Sequence, residues 1–181
     1  ANETAGARMA AEVGALLRAR NALLWVVTPE EGRVKRALIE AAGVVDYGIK
    51  QWNCIEGVTD ATGKEVDPGR NGVDPAVCLA AIRDSRERSV WIMRDLHAWV
   101  KDPTVCRALR SLARALQSTT RSEARAIIIL APSADVPPEL ADHAIVVKWA
   151  LPDRPEIGRI FDEAIEPLGS HGFGNHVDGF S

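Results

Sequence analysis

Five strand-like runs punctuate the chain: Leu23–Val27, Tyr47–Ile55, Ser89–Met93, Ala126–Leu130 and Ala144–Val147, with helical stretches between them. This rhythm restricts the fold more than any other feature. Runs that are apolar at consecutive positions suit strands buried on both faces of a sheet, and a parallel crossover needs a helix between its strands. The expectation is an α/β fold: a five-stranded parallel sheet sandwiched by helices. Tyr47–Ile55 differs in alternating Ile49, Gln51 and Asn53 against Lys50, Trp52 and Cys54, as in a strand with a mixed environment.

The helices announce themselves by period and punctuation. Met9, Val13, Leu16 and Leu17 share a face over residues 8–20, ending at Asn21. Pro29–Ala42 is the crossover after the first strand, with Val34, Leu38 and Ile39 inside and Gly43 as its stop. Asp74–Pro75 and Asp102–Pro103 are N-cap and N1 pairs that open helices up to Arg86 and past Leu116. Pro152 begins a last helical segment through Ile165. Residues 56–73 have turn residues and no apolar period, which predicts a long, flexible loop, and the glycine-rich stretch 169–181 reads as a tail or the cut edge of a longer protein. The expected organisation is a core over 1–150, the start of a helical lid or linker over 151–168, and the tail.

In an α/β nucleotide-binding domain the turn after the first strand holds the phosphate loop, G-x-x-x-x-G-K-[ST], whose amides, lysine and hydroxyl hold phosphates and Mg²⁺. The residues after Leu23–Val27 are Thr28, Pro29, Glu30, Glu31, Gly32 and Arg33 instead. They read as a capping box: Thr28 at the N-cap, Pro29 at N1, Glu31 at N3. A helix N-terminus attracts anions, but here Glu30 and Glu31 put about two negative charges where a phosphate would sit. An ordinary capped crossover helix with no nucleotide history has the same pattern.

Taken in order, LLRARNALLWVVTPEEGRV, the run containing Trp52, SVWIMRDLHAWVKDPTVCRALRSLARAL and AIIILAPSADVPPELADHAIVVKWALPDRPEI resemble one class of AAA+ ATPases. The likeness is to the N-terminal half of the chloroplast and cyanobacterial open-reading-frame class, with bacterial and phage relatives. It covers about residues 12–165, and its strongest pieces are Thr28–Glu31, Arg94–His97 and Leu151–Arg154. The resemblance implies an AAA+/P-loop-NTPase-like core without a Walker A loop, followed in the parent protein by a second AAA+ module with intact motifs. Matched residue by residue, Arg94 and Asp95 take the place of the acidic pair that organises metal and water in an active site. Ser133 falls at the polar sensor position after the fourth strand. Asp95 reads either as an N-cap or partner of Arg94, or as a residual metal ligand.

Other sites are sparse. Arg107, Arg110 and Arg114 share one helical face, with Lys101, Arg121 and Arg125 near its ends. That stripe is a solvated face, a subunit contact or, without interleaved aromatics, a weak nucleic-acid site. Cys54, Cys78 and Cys106 lack C-x-x-C spacing and suit buried thiols; His97, His143, His171 and His176 have no metal-ligand spacing. Trp25, Trp52, Trp91, Trp99 and Trp149 read as core or interface anchors. A net charge of −3 gives no global pull towards nucleic acid or acidic membranes, and no apolar run approaches the roughly 18 residues of a membrane span. The first 17 residues lack a signal peptide's h-region, so a cytoplasmic location is expected.

The functional expectation is therefore a non-catalytic N-terminal AAA-like domain of a larger AAA+ ATPase. This chain would hold no cofactor or metal, while ATP and Mg²⁺ belong to the parent protein. It would act in oligomerisation, regulation or substrate contact, with the C-terminal AAA+ module of the same protein and further copies of itself as partners. The alternatives are an ATPase with a non-standard site using Asp95 and the arginines, and a nucleic-acid-binding module built on Arg107, Arg110 and Arg114.

Overall fold

The computed structural model describes residues 3–66 and 72–169. In chain order the elements are α1 (Ala5–Arg18), β1 (Leu23–Val27), α2 (Glu31–Val44), β2 (Gly48–Asn53), β3 (Gly57–Asp60), α3 (Pro75–Asp84), β4 (Ser89–Met93), α4 (Pro103–Gln117), β5 (Arg125–Ala131), β6 (Ile145–Lys148) and α5 (Arg154–Gly169). The sheet order is β3-β2-β4-β5-β1-β6. All pairings are parallel except β2 with β3. The five expected strands are the parallel ones.

The sixth is a correction. β3 falls inside the stretch read as a loop, where it turns back on β2 as a hairpin and becomes the sheet edge, pairing Asn53 with Gly57. Gly57, at φ +72°, supplies the left-handed conformation that the turn needs. With four residues, the strand is too short to show a period of its own. Residues 67–71 of the loop expected over 56–73, and residues 170–181 of the tail expected over 169–181, lie outside the described residues.

The sheet divides the core in two. On one face Val13 and Leu17 of α1 and Val34 and Leu38 of α2 pack on Leu24, Val26, Val90, Ile92 and Ile128. On the other, Leu79 and Ile82 of α3 and Leu109 and Leu116 of α4 pack on Trp25, Trp91, Met93, Ile127 and Ile129. Odd and even strand residues thus go to opposite layers, and β4 and β5 are buried along their whole length. Each such side chain removed from water contributes about 1.5–3 kcal/mol before the entropy cost of ordering it.

Helix ends explain the shifts from the expected boundaries. Asp74 and Asp102 cap α3 and α4 as expected, each carboxylate accepting from two backbone amides. α2 runs through Gly43 and stops at Asp46, φ +61°, where the amide of Tyr47 reaches back to the Ala42 carbonyl and that of Asp46 to Gly43. α1 stops the same way at Arg20, φ 64°, with Asn21 bonded back to Leu16. Arg125, counted above with the basic stripe, is instead buried, and its guanidinium donates to the carbonyls of Ile82, Arg83 and Ser85 at the end of α3. Of the three cysteines only Cys78 is buried; Cys54 and Cys106 are half-buried. Burial pushes the Cys78 thiol up to about 12, so it is an inert core group at neutral pH. Among the tryptophans Trp99 is the exception to burial, at 41% exposed.

Candidate functional site at the carboxyl ends of the strands

In an open α/β sheet, ligands bind in the crevice beyond the carboxyl ends of the strands where the strand order reverses. Here that point lies at β1, flanked by β5 and β6. Thr28 continues β1 by one step, its amide bonded to the Ala131 carbonyl of the neighbouring chain segment. A cleft of about 210 Å³ opens there, lined by Thr28, Pro29, Glu31, His97, Leu130, Ala131 and Pro132.

The expected capping box does not form. α2 begins at Glu31, two residues later than a Pro29 start, and its N-cap is Glu30, whose side chain makes no capping bond. The Thr28 hydroxyl accepts from the Glu30 amide at 3.0 Å, a turn bond ahead of the helix. Both carboxylates that would have served the helix end are taken by guanidinium groups. Glu30 holds Arg33 at 2.6 Å, and Glu31 pairs with Arg94 at the end of β4. Glu31 therefore cannot reach back to Thr28 as a box requires. The negative charge expected at this position is not bare: Glu31 pairs with Arg94, and Glu30 shares Arg33 with Glu156.

Arg33 binds this region to α5 and the segment before it. Its guanidinium also donates to Glu156 of α5 at 2.6 Å and to the Ala150 carbonyl at 3.1 Å. Burial acts to lower its pKa, but hydrogen bonds and charges from Glu30 and Glu156 outweigh this, and the net shift is upward. Asp153 and Glu156 in turn accept from the Ala5 and Gly6 amides, at 2.7 and 3.1 Å, at the N-terminus of α1. The amide of Ala5 foremost holds Asp153 below its ordinary carboxylate value.

Arg94 and Asp95 follow β4 directly, but they do not pair with each other. The Asp95 carboxylate accepts from the Cys54 amide at 3.2 Å, which ties the end of β4 to the turn after β2. It makes no side-chain cap on the short 3-10 turn Leu96–Ala98. The hydrogen bond to Asp95, with burial and charge behind it, pushes the Cys54 thiol up. Among the described residues no three His, Cys, Asp or Glu side chains gather as a metal site. Gly63–Lys64, a glycine–lysine pair, sits in the turn beyond β3 at the far sheet edge, away from β1.

Ser133 lies two residues past β5 and faces the other layer. Its hydroxyl donates to Asp135 at 2.7 Å and its carbonyl accepts from the Trp25 indole at 2.8 Å. With Trp25, His97, Lys101, Arg107 and Arg110 it lines a larger cleft of about 900 Å³. Arg114 does not line it, so the stripe divides. His97 borders both clefts, and nothing in its sequence spacing signalled that. The Glu30–Arg33 spacing of three was readable on a helix; the Arg33–Glu156 bond, between residues 123 apart, was not.

The sequence model of the SpoVK-like AAA ATPase N-terminal domain matches residues 9–149. The chain belongs to this family. It is similar to the AAA domain-containing protein ycf46 of Guillardia theta, 28% identical over 85% of this chain and 30% of the relative. The ycf46 protein of Trieres chinensis is also 28% identical, over 84% and 30%. That of Gracilaria tenuistipitata var. liui is 25% identical, over 78% and 28%. The chain thus spans about 30% of the length of these relatives. Among solved structures, the ORC1 protein of Aeropyrum pernix in complex with DNA aligns at TM-score 0.48 and 15% identity, over 88% of this chain and 49% of that one. The architecture is accordingly that of an AAA N-terminal domain, a mostly parallel α/β sheet with helices on both faces. No described helix is long and apolar enough to cross a membrane.

Proposed function

We propose that this AAA N-terminal domain is catalytically silent and works by contact, within a larger AAA+ ATPase whose second module binds and hydrolyses ATP with Mg²⁺. One observation carries the reading. Glu31 and Arg94 form an ion pair between the first turn of α2 and the end of β4, the two places from which a phosphate loop and an acidic metal pair would face each other. A triphosphate entering there meets a carboxylate already bound to the nearest guanidinium, and no glycine-rich run of amides replaces it. The ion pair closes the position by occupying it.

Contact is supported at α5. It carries Ile157, Ile160, Phe161 and Ile165 at helical spacing, all exposed, with Phe161 at 62% and Ile165 at 59%. An apolar stripe on a helix needs a partner surface, and the following AAA+ module or another copy of the chain supplies one. The reading is tested by ATP turnover of the isolated chain: background rates, unchanged in Asp95→Ala, are expected. Turnover that Asp95→Ala abolishes would establish the competing ATPase reading.

A further inference from the structure

The cleft under α4 is large enough, at about 900 Å³, for a small organic molecule or a few peptide residues. Its lining combines apolar surface from Trp25, Val100, Val136 and Pro137 with three cationic side chains, Lys101, Arg107 and Arg110. Pro103, Cys106, Arg107 and Arg110 reach it from one face of α4, at spacings of three and four. Two buried polar atoms on its walls, Arg110 Nε and His97 Nδ1, have no hydrogen-bond partner among the described residues. The Arg110 guanidinium can only donate and the His97 imidazole can donate or accept, so with Lys101 and Arg107 this wall offers hydrogen-bond donors and positive charge to a ligand that carries acceptor oxygens.

The opposite rim limits which ligand. Asp135 and Glu139 line the same cleft. They oppose a multiply charged phosphate chain but can accept from amide N–H groups. We propose that this cleft binds an acidic peptide segment of a partner protein, its carboxylate held by Arg110 with Arg107 and Lys101 at the mouth. An apolar side chain of the segment packs against Trp25 and Val136, and its backbone amides face Asp135. Guanidinium groups suit this task because their donors form a fork that matches a carboxylate. The inference rests on the reading of the chain as a contact domain and names the chemistry of one partner.

The test is fluorescence anisotropy of the full chain with a short labelled peptide of alternating glutamate and leucine, against the same peptide with glutamine for glutamate. Saturable binding is expected, about tenfold weaker for the glutamine peptide and reduced about tenfold by Arg107→Glu and by Arg110→Gln. Arg107 is exposed, so its variant keeps the test valid should Arg110→Gln fail to fold. Arg18→Glu makes the same charge change on α1, beyond the opposite face of the sheet, and leaves binding unchanged. Equal binding of both peptides, no saturable binding, or an equal loss in Arg18→Glu would overturn the proposal. ATP turnover tests the contact-domain reading separately, and failed peptide binding with turnover at background removes this site alone.

Discussion

Asp153 shows how one side chain connects distant parts of this domain. It precedes α5 yet accepts the Ala5 amide at the start of α1, a placement that the positive end of a helix dipole favours. Its pKa lies below the ordinary 3.8, with the backbone hydrogen bond from Ala5 as the largest cause. A carboxylate depressed in the folded state adds stability that is present above 3.8 and is lost as the pH falls through the lower folded value. Urea denaturation of wild type and Asp153→Asn should therefore differ most above pH 3.8, and the difference should close on further acidification. A gap that persists unchanged at low pH would mean the charge plays no part. Glu31 and Arg94 illustrate the same dependence on distant partners at the candidate site. Each residue was readable in the sequence as occupying a nucleotide-site position, but their pairing across 63 residues was not.

Elements were legible where local chemistry sets their limits. β4 is Ser89–Met93 as expected, and the Asp–Pro starts of α3 and α4 hold because the cap and N1 proline act within three residues. The misplaced ends have non-local or disguised causes. Arg20 and Asp46 take the left-handed conformation usually given to glycine, so Gly43 drew the end of α2 too early. At the start of α2, Glu30 and Glu31 pair with arginines, one of them from the end of β4. Arg125 is the clearest case of a residue assigned to the wrong element. On sequence it extends a basic stripe, whereas in the fold it closes α3 through three carbonyls. Burial, the largest influence, lowers its pKa, as expected for a cation held by neutral acceptors rather than by a carboxylate. Arg125→Met should cost about 2–3 kcal/mol in chemical denaturation, because it leaves buried carbonyls without donors. A cost indistinguishable from that of an exposed arginine would refute the capping role.

At the scale of the molecule, the sheet places its reversal point at β1 and leaves two clefts along the carboxyl ends of the strands, one small and bordered by the ion-paired Glu31, one larger and basic on one wall. On the proposed reading the first occupies the place where an active AAA core would cradle phosphate. The second lies on the α3/α4 side, and α5 adds an exposed apolar stripe near the Arg33 junction. This distribution suits a domain that retains the AAA architecture and uses its surfaces for contact. The most direct measurement of that account is isothermal titration of the chain with ATP and Mg²⁺. The account predicts no saturable heat, for wild type and for Asp95→Ala alike; micromolar binding by the wild-type chain would contradict it.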